Sequence, residues 1–400
     1  MLIPGAPQDD DLLELHARTL AASVPEGTVW LDAHTHIGQN DPDGVTCTRE
    51  EVLAGLDRAG HAGAVVFPTH EPDGYAAFNA AVRADAAASG GRLRTLVRVD
   101  PGHPDAVEEA RAGLEAGAVG VKLHPRSDAF GLPHPTVDAL GDLLGEWGVR
   151  SGRDPILLFH AGRGIPALGP SAVALAERHP NVRLILAHTG VSDLGLVAEP
   201  ASRLPNLCFD TSWWQVDDML QMYATIPPGQ IHYASDMPYG GGVFASLALM
   251  RCAVQAGHGP DVVAAMAGAQ LQRVLDGEPP LDLGPAPGEA VLADDRPLIA
   301  RLASRRAISY LGIASLGSFH GGPVEEPLSL ARLACATDTG DPVLALVDAL
   351  CERAQERIAA AGSTPAPIGE QARPHLPGHA PGIAALLAAG IVAGTPRAGA

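Results

Sequence analysis

Basic residues are scarce in this chain. Lys and Arg number 27 against 46 Asp and Glu, a formal charge of −19 at pH 7 over 400 residues. A surface of that sign repels phosphate backbones and anionic lipid headgroups, which argues against nucleic-acid partners and against membrane attachment. An anionic substrate remains compatible, because arginines inside a pocket invert the local field. Cysteine is also sparse: Cys47, Cys208, Cys252, Cys335 and Cys351 are scattered, odd in number and include no CxxC pair. Reduced thiols in a cytoplasmic protein fit that usage better than a disulfide framework. Long apolar runs are missing too. The longest near the C-terminus, Ile383 to Val392, is too short to span a bilayer. Met1 to Asp11 has neither the basic nor the apolar region of a secretory signal, so a soluble, cytoplasmic chain is expected.

What is present is globular. Hydrophobic residues make up 46% and charged residues 18%, enough to bury a sizeable core in one large domain with or without a smaller one. Short continuous apolar runs, the mark of strands buried on both faces, alternate with helical patterns. The runs are Thr28–Leu31, Ala62–Pro68, Leu93–Val99, Ala118–Leu123, Pro155–Phe159, Val182–Ala187, Leu207–Thr211 and Ile231–Ala234. Helical patterns follow each run. The first starts at Thr48 with Glu51 three residues on, a capping box. Eight strand–helix units within roughly 250 residues predict an α/β fold, a (β/α)8 TIM barrel. A doubly wound open sheet is the alternative, but no GxGxxG follows the first run.

The domain division is then a lead-in over 1–27 with a helix around Asp10–Ala22, the barrel over 28–278, and a linker with a small helical appendage over 279–361. A Pro/Gly/Ala-rich tail over 362–400 is expected to be poorly ordered.

Polar residues gather where the apolar runs stop. His34 and His36 are spaced i, i+2, so on a strand they point to the same side. Lys122 and His124 end the fourth run, His160 the fifth, His188 the sixth and Asp236 the eighth. Barrel active sites lie at the C-terminal strand ends, so these side chains converge on one mouth. Three or more imidazoles with a carboxylate form a transition-metal donor set. Lys122 has two readings, a lysine paired with a buried carboxylate or a ligand after conversion to a carbamate. His124, with Lys122, is a candidate for a second metal or for the pocket. Arg98, Arg126 and Arg163 lie near strand ends and are candidates to bind a substrate carboxylate.

Taken together, D-A-H-T-H-I-G at 32–38, G-V-K-L-H-P at 120–125, F-H-A-G at 159–162, A-H-T-G at 187–190 and S-D-M-P at 235–238 resemble the amidohydrolase superfamily. The nearest branch is the amidohydrolase-related group that includes aminocarboxymuconate semialdehyde decarboxylase. The resemblance covers roughly 28–277. It implies a distorted (β/α)8 barrel with a divalent metal, usually one Zn²⁺, in the mouth. Carried over, His34, His36, His160 and Asp236 would be ligands, and His188 the catalytic histidine. Lys122 falls where binuclear relatives carry a carboxylated lysine, which would admit a second metal. The reaction expected first is hydrolysis of an amide, lactone or ester-like bond of a small molecule through a metal-activated water, with Asp236 as base and then acid. Non-oxidative decarboxylation of a small carboxylic acid is the first rival, and a non-catalytic binding barrel the second. A homo-oligomer is compatible with all three.

Overall fold

Seven of the eight apolar runs contain a short parallel strand in the computed structural model, while the first, Thr28–Leu31, only leads into one that starts at Leu31; the structure describes residues 20–42, 45–162, 168–191, 193–293, 295–320, 324–361 and 380–395. The strands are β1 (Leu31–Ile37), β2 (Gly63–Pro68), β3 in two pieces (Leu93–Thr95 and Val97–Arg98) and β4 (Gly120–Leu123). β5 (Ile156–Phe159), β6 (Arg183–Leu186), β7 (Leu207–Asp210) and β8 (Ile231–His232) follow. They pair in sequence order, all parallel. Across the break in β3 the Leu96 amide donates to the Val66 carbonyl at 3.1 Å, and the Val119 amide to Thr95 at 2.9 Å. The chain after β8 closes on β1. There the Ala33 amide donates to Tyr233 at 2.9 Å, the Asp236 amide to His34 at 3.0 Å and the His36 amide to Met237 at 2.8 Å. The sheet is thus a closed (β/α)8 barrel.

Helices form the outer layer: α1 (Arg49–Ala59), α2 (Ala76–Ala87), α3 (Ala106–Glu115), α4 (Pro135–Ser151), α5 (Gly169–Arg178), α6 (Leu194–Ala201), α7 (Val216–Thr225) and α8 (Gly242–Gln255). The capping box on α1 is formed, with Thr48 accepting from the Glu51 amide and Glu51 reaching back to the Thr48 amide. A ninth helix, α9, runs as Pro260–Ala264, a π-helical turn Ala265–Ala269 and Gln270–Asp276. Its Leu271, Val274 and Leu275 join Leu31, Val65, Leu158, Ile185 and Cys208 in one apolar cluster. The barrel floor is therefore apolar, and the polar donors gather at the opposite mouth.

After α9 come α10 (Leu298–His320), α11 (Glu325–Cys335), α12 (Pro342–Ala361) and α13 (Ala380–Gly394). Leu311, Leu328, Leu344, Leu350, Leu386 and Ile391 belong to the same core cluster as the barrel helices, so this appendage is sealed against the barrel. The expectation of a poorly ordered tail needs correction here. Ile383, Leu386, Leu387, Ile391 and Val392 are all buried, and Gln255 of α8 donates to the Thr395 carbonyl at 3.1 Å. A 15-residue helix with one proline and three glycines is marginal alone despite its alanines, but its apolar face is held once α10 and α12 supply a groove. The rest of that tail, and most of the expected helix over 10–22, lie outside the described residues. All five cysteines are buried free thiols. Among the described residues no helix is long and apolar enough to cross a membrane.

Candidate metal centre

The two histidines of β1 sit inside the strand, not beyond its end, and a bulge aims them. Leu31 pairs with Gly63 and Asp32 with Ala64, but then Thr35 pairs with Val66 and His36 with Phe67, so β1 carries one extra residue. Below the bulge Leu31 and Ala33 pack in the barrel interior. Above it His34 and His36 turn inward, their rings 5.1 and 4.5 Å from that of Phe67. A regular strand of period two cannot place odd and even positions on the same side; the bulge shifts the phase. Asp32 pins it. Its Oδ1 accepts from the amides of His34 and Ser235, each at 3.0 Å. Burial, partly offset by those bonds, pushes the Asp32 carboxyl up to about 7.

His34 lies at the centre. Its Nδ1 is 2.8 Å from Asp210 Oδ2, which assigns the ring proton to Nδ1 and leaves the Nε2 lone pair facing the mouth. Nε2 is 3.3 Å from both Asp236 Oδ1 and Lys122 Nζ. His36 Nε2 is 3.1 Å from the same Asp236 oxygen, its Nδ1 turned to the Pro68 carbonyl at 3.4 Å. His188 directs Nδ1 to the Ser212 carbonyl at 2.7 Å and Nε2 to His160 Nδ1 at 3.0 Å. One donor atom each from His34, His188 and Asp236 fall within 4.8 Å of one another. His160 stands one ring further out, stacked on His124 at 3.9 Å between centroids.

Electrostatics keep the donors in their ligand form. Burial, reinforced by the Lys122 charge, pushes His34 down to about 3. Burial likewise holds His36 and His124 well below the ordinary imidazole value. Neutral imidazoles expose lone pairs to a cation. Burial opposes ionisation of Asp210, but His34, His188 and Ser212 outweigh it and hold the carboxyl well below the usual range. Lys122 is pulled down to about 7, mainly by burial and then by Arg98. Its Nζ meets His34 rather than a carboxylate.

Backbone strain is concentrated here. His188, Thr189 and Asp236 have φ of 58°, 58° and 57°. Left-handed non-glycine residues of this kind cost on the order of 1–3 kcal/mol each and persist only where surrounding bonds fix them. At these positions the strain turns His188 and Asp236 off their strand ends into the mouth. Gly162 has a different task. A Cβ there would lie 2.8 Å from His188 Cδ2 and 3.0 Å from His160 Cε1. Gly162→Ala is therefore expected to push the two rings apart and lower turnover roughly tenfold to a hundredfold with the fold intact, checked by steady-state kinetics beside circular dichroism.

Sequence reasoning passed over Asp32, Asp210 and Ser212. Asp210 follows the apolar Leu207–Phe209 just as His160 follows Ile156–Phe159, a signal of equal weight that went unused. Among the arginines, Arg98 is buried at the end of β3, Arg126 is exposed, and Arg163 lies outside the described residues. Trp213 stands beside the centre, its ring 6.0 Å from His188 and its indole N–H donating to Asp218 at 2.8 Å.

The profile of the amidohydrolase family matches residues 31–268, from the first residue of β1 into α9. This chain belongs to the amidohydrolase family. It is thus an enzyme fold of metal-dependent type, and its convergent donors occupy the mouth of the amidohydrolase barrel. Solved structures are similar at low identity. A 2,6-dihydroxybenzoate decarboxylase from Rhizobium is 16% identical with a TM-score of 0.48, over 63% of this chain and 99% of that one. A 5-carboxyvanillate decarboxylase from Sphingomonas paucimobilis is 15% identical, also at 0.48, over 62% and 99%. A manganese-bound dihydroxybenzoic acid decarboxylase from Polaromonas is 13% identical at 0.48, over 62% and 97%. No curated protein matches this amidohydrolase chain.

Proposed function

We propose that this amidohydrolase is a metal-dependent decarboxylase that removes CO2 from a small carboxylic acid, aromatic or unsaturated, without an oxidant. One observation carries the choice: two buried cations, Lys122 and Arg98, stand beside the donor cluster. Arg98, with Lys122 partly protonated near neutrality, offsets the Asp210 and Asp236 charges, and a divalent ion would add positive charge to the centre. A buried arginine with unfilled N–H donors beside a cation site calls for an anionic substrate.

The donor set fits the ion. His34 and His36 turn Nε2 to the same Asp236 oxygen, and His188 offers a third nitrogen within 4.8 Å of His34 and Asp236, an electron-rich arrangement that a cation stabilises. Three nitrogens and one oxygen suit zinc or a similar divalent metal, with His34, His36, Asp236 and one of His160 or His188 as holders. A bound ion supplies Lewis acidity to an anionic oxygen of the substrate. The chain's own residues do the rest. Asp236, its side chain 20% exposed on the open side, delivers a proton to the carbon that bears the carboxylate. The C–C bond pair stays on that carbon as CO2 leaves, so acid anion plus proton becomes the decarboxylated product and CO2. His188, fixed by Ser212, orients the substrate, and Lys122 opposes its charge.

Hydrolysis is a second reading, favoured by the same solvent-facing position of Asp236, which suits a base acting on water. A panel of hydroxybenzoates and unsaturated acids against amides, lactones and esters, followed by ¹³C NMR on metal-loaded protein, separates them. Release of CO2 matched to loss of the acid is expected. Hydrolysis products without CO2 would reverse the order, and metal-loaded protein silent on the whole panel would point to a binding barrel.

A further inference from the structure

Arg98 is a deeply buried cation whose hydrogen-bonding capacity is unfilled among the described residues. It is 1% exposed, sits on β3 and pairs in register with Lys122 on β4, so both side chains face the barrel interior. Asn79 clamps its backbone, accepting from the Arg98 amide at 3.0 Å and donating to its carbonyl at 2.8 Å. The guanidinium is fixed at one end only. Nη1 donates to the Pro68 carbonyl at 3.2 Å, the same carbonyl that His36 Nδ1 approaches. The ring of Tyr75 lies 4.8 Å from Cζ. Nε and Nη2 have no hydrogen-bond acceptor among the described residues, and these two atoms form one side of the guanidinium fork. Asp128 is near, with Oδ2 3.9 Å from Nη2, beyond hydrogen-bond reach, while its Oδ1 takes the Tyr75 hydroxyl at 2.6 Å.

Leaving two charged N–H groups buried and unsatisfied is expensive, and folds retain such a group where something arrives to satisfy it. The parallel Nε–H and Nη2–H vectors match the two oxygens of a carboxylate. Through the shared Pro68 carbonyl, Nη1 ties the guanidinium to His36 and so to the metal centre, while Nη2 on the open edge is turned toward Asp128.

We infer that Arg98 is an anion receptor that takes a substrate carboxylate in a bidentate grip through Nε and Nη2, beside the metal donors. This rests on the carboxylic-acid reading above. In that case a substrate with one carboxylate at the reacting carbon and a second anionic group, or a single carboxylate first captured by the fork, would bind in a fixed orientation. Tyr75 and Pro68 hold the guanidinium plane, and Asp128 occupies the fork loosely until the ligand displaces it.

Benzoate is the probe and benzamide its uncharged counterpart, titrated calorimetrically into metal-loaded protein. Benzoate is expected to bind and benzamide to bind far more weakly. Arg98→Met should weaken benzoate roughly 10- to 150-fold, the worth of hydrogen bonds to a charged group. Arg98→Lys should lose most of the same affinity, since a point charge lacks the fork. Asp128→Asn should tighten benzoate by removing the competing carboxylate, a gain that a merely structural Arg98–Asp128 pair would not produce. A folded Arg98→Met protein with wild-type benzoate affinity overturns the assignment. If that variant does not fold, unchanged benzoate affinity in both Arg98→Lys and Asp128→Asn does the same. Loss of benzoate binding without CO2 release from any acid would leave the fork standing and remove decarboxylation. CO2 release with unaltered KM in Arg98→Met would do the reverse.

Discussion

Asp236→Asn is expected to strip the metal and reduce turnover more than about a hundredfold, beyond the range usual for loss of an outer hydrogen-bond partner, while leaving the thermal stability of the metal-free protein nearly unchanged. Asp236 is the anionic member of the donor cluster, with one oxygen 3.1 Å from His36 Nε2 and 3.3 Å from His34 Nε2. Asn keeps the shape and loses the charge that neutralises the ion. Its backbone, at φ 57°, is in the left-handed region that Asn tolerates as readily as Asp, so the substitution adds no strain. The Asp236 side chain itself reaches solvent, and Asp210 remains as a counter-charge to Lys122. Metal analysis after dialysis, a thermal melt and steady-state kinetics on the same preparation check all three parts. Retained metal with lost activity would confine Asp236 to proton transfer; retained metal and activity would remove it from the centre.

Asp210→Asn tests the support beneath His34 and has the second largest expected effect. Oδ1 of Asp210 accepts from the amides of His188 at 2.9 Å and Ser212 at 3.0 Å and from the Ser212 hydroxyl, so that atom must remain an oxygen. An Asn at this position has to place its NH2 where Oδ2 was, 2.8 Å from His34 Nδ1. Two donors cannot face each other. His34 must then carry its proton on Nε2, the atom that would hold the metal. Metal affinity is expected to fall roughly 10- to 100-fold with kcat following it, as for other partners that fix a ligand's tautomer. Competition against a chromophoric chelator measures the affinity. Wild-type affinity would show that His34 is not held through Nδ1. Asp210→Ala should be worse for the fold, because it leaves donors from His34, His188 and Ser212 buried and unpaired.

Much of this was legible in the residues. Strands buried on both faces need apolar side chains on both, so each strand appears as a short continuous run, and eight runs separated by helical patterns imply a barrel. Helix ends were equally plain: Thr48 with Glu51 predicted the start of α1, and the structure carries both bonds. Polar residues at the ends of apolar runs named the mouth. Asp210 obeyed the same pattern and was overlooked because a lone carboxylate after a strand is common, and its value depends on meeting His34 from 176 positions away. The helix over Ala380–Gly394 was missed for a related reason, since its proline and glycines argue against a helix alone and its burial comes from a groove made by α10 and α12.

Local sequence therefore decided the element types, the closed α/β barrel and the set of donors, because burial and hydrogen-bonding demands act residue by residue. Tertiary structure decided which donors meet and in which protonation state. The two-residue spacing of His34 and His36 fixed only that they share a side; the bulge pinned by Asp32 chose the inner one. Asp210, Pro68 and Ser212 then chose which nitrogen of each histidine faces the centre. Those choices rest on contacts between strands far apart in the chain, and no local pattern encodes them.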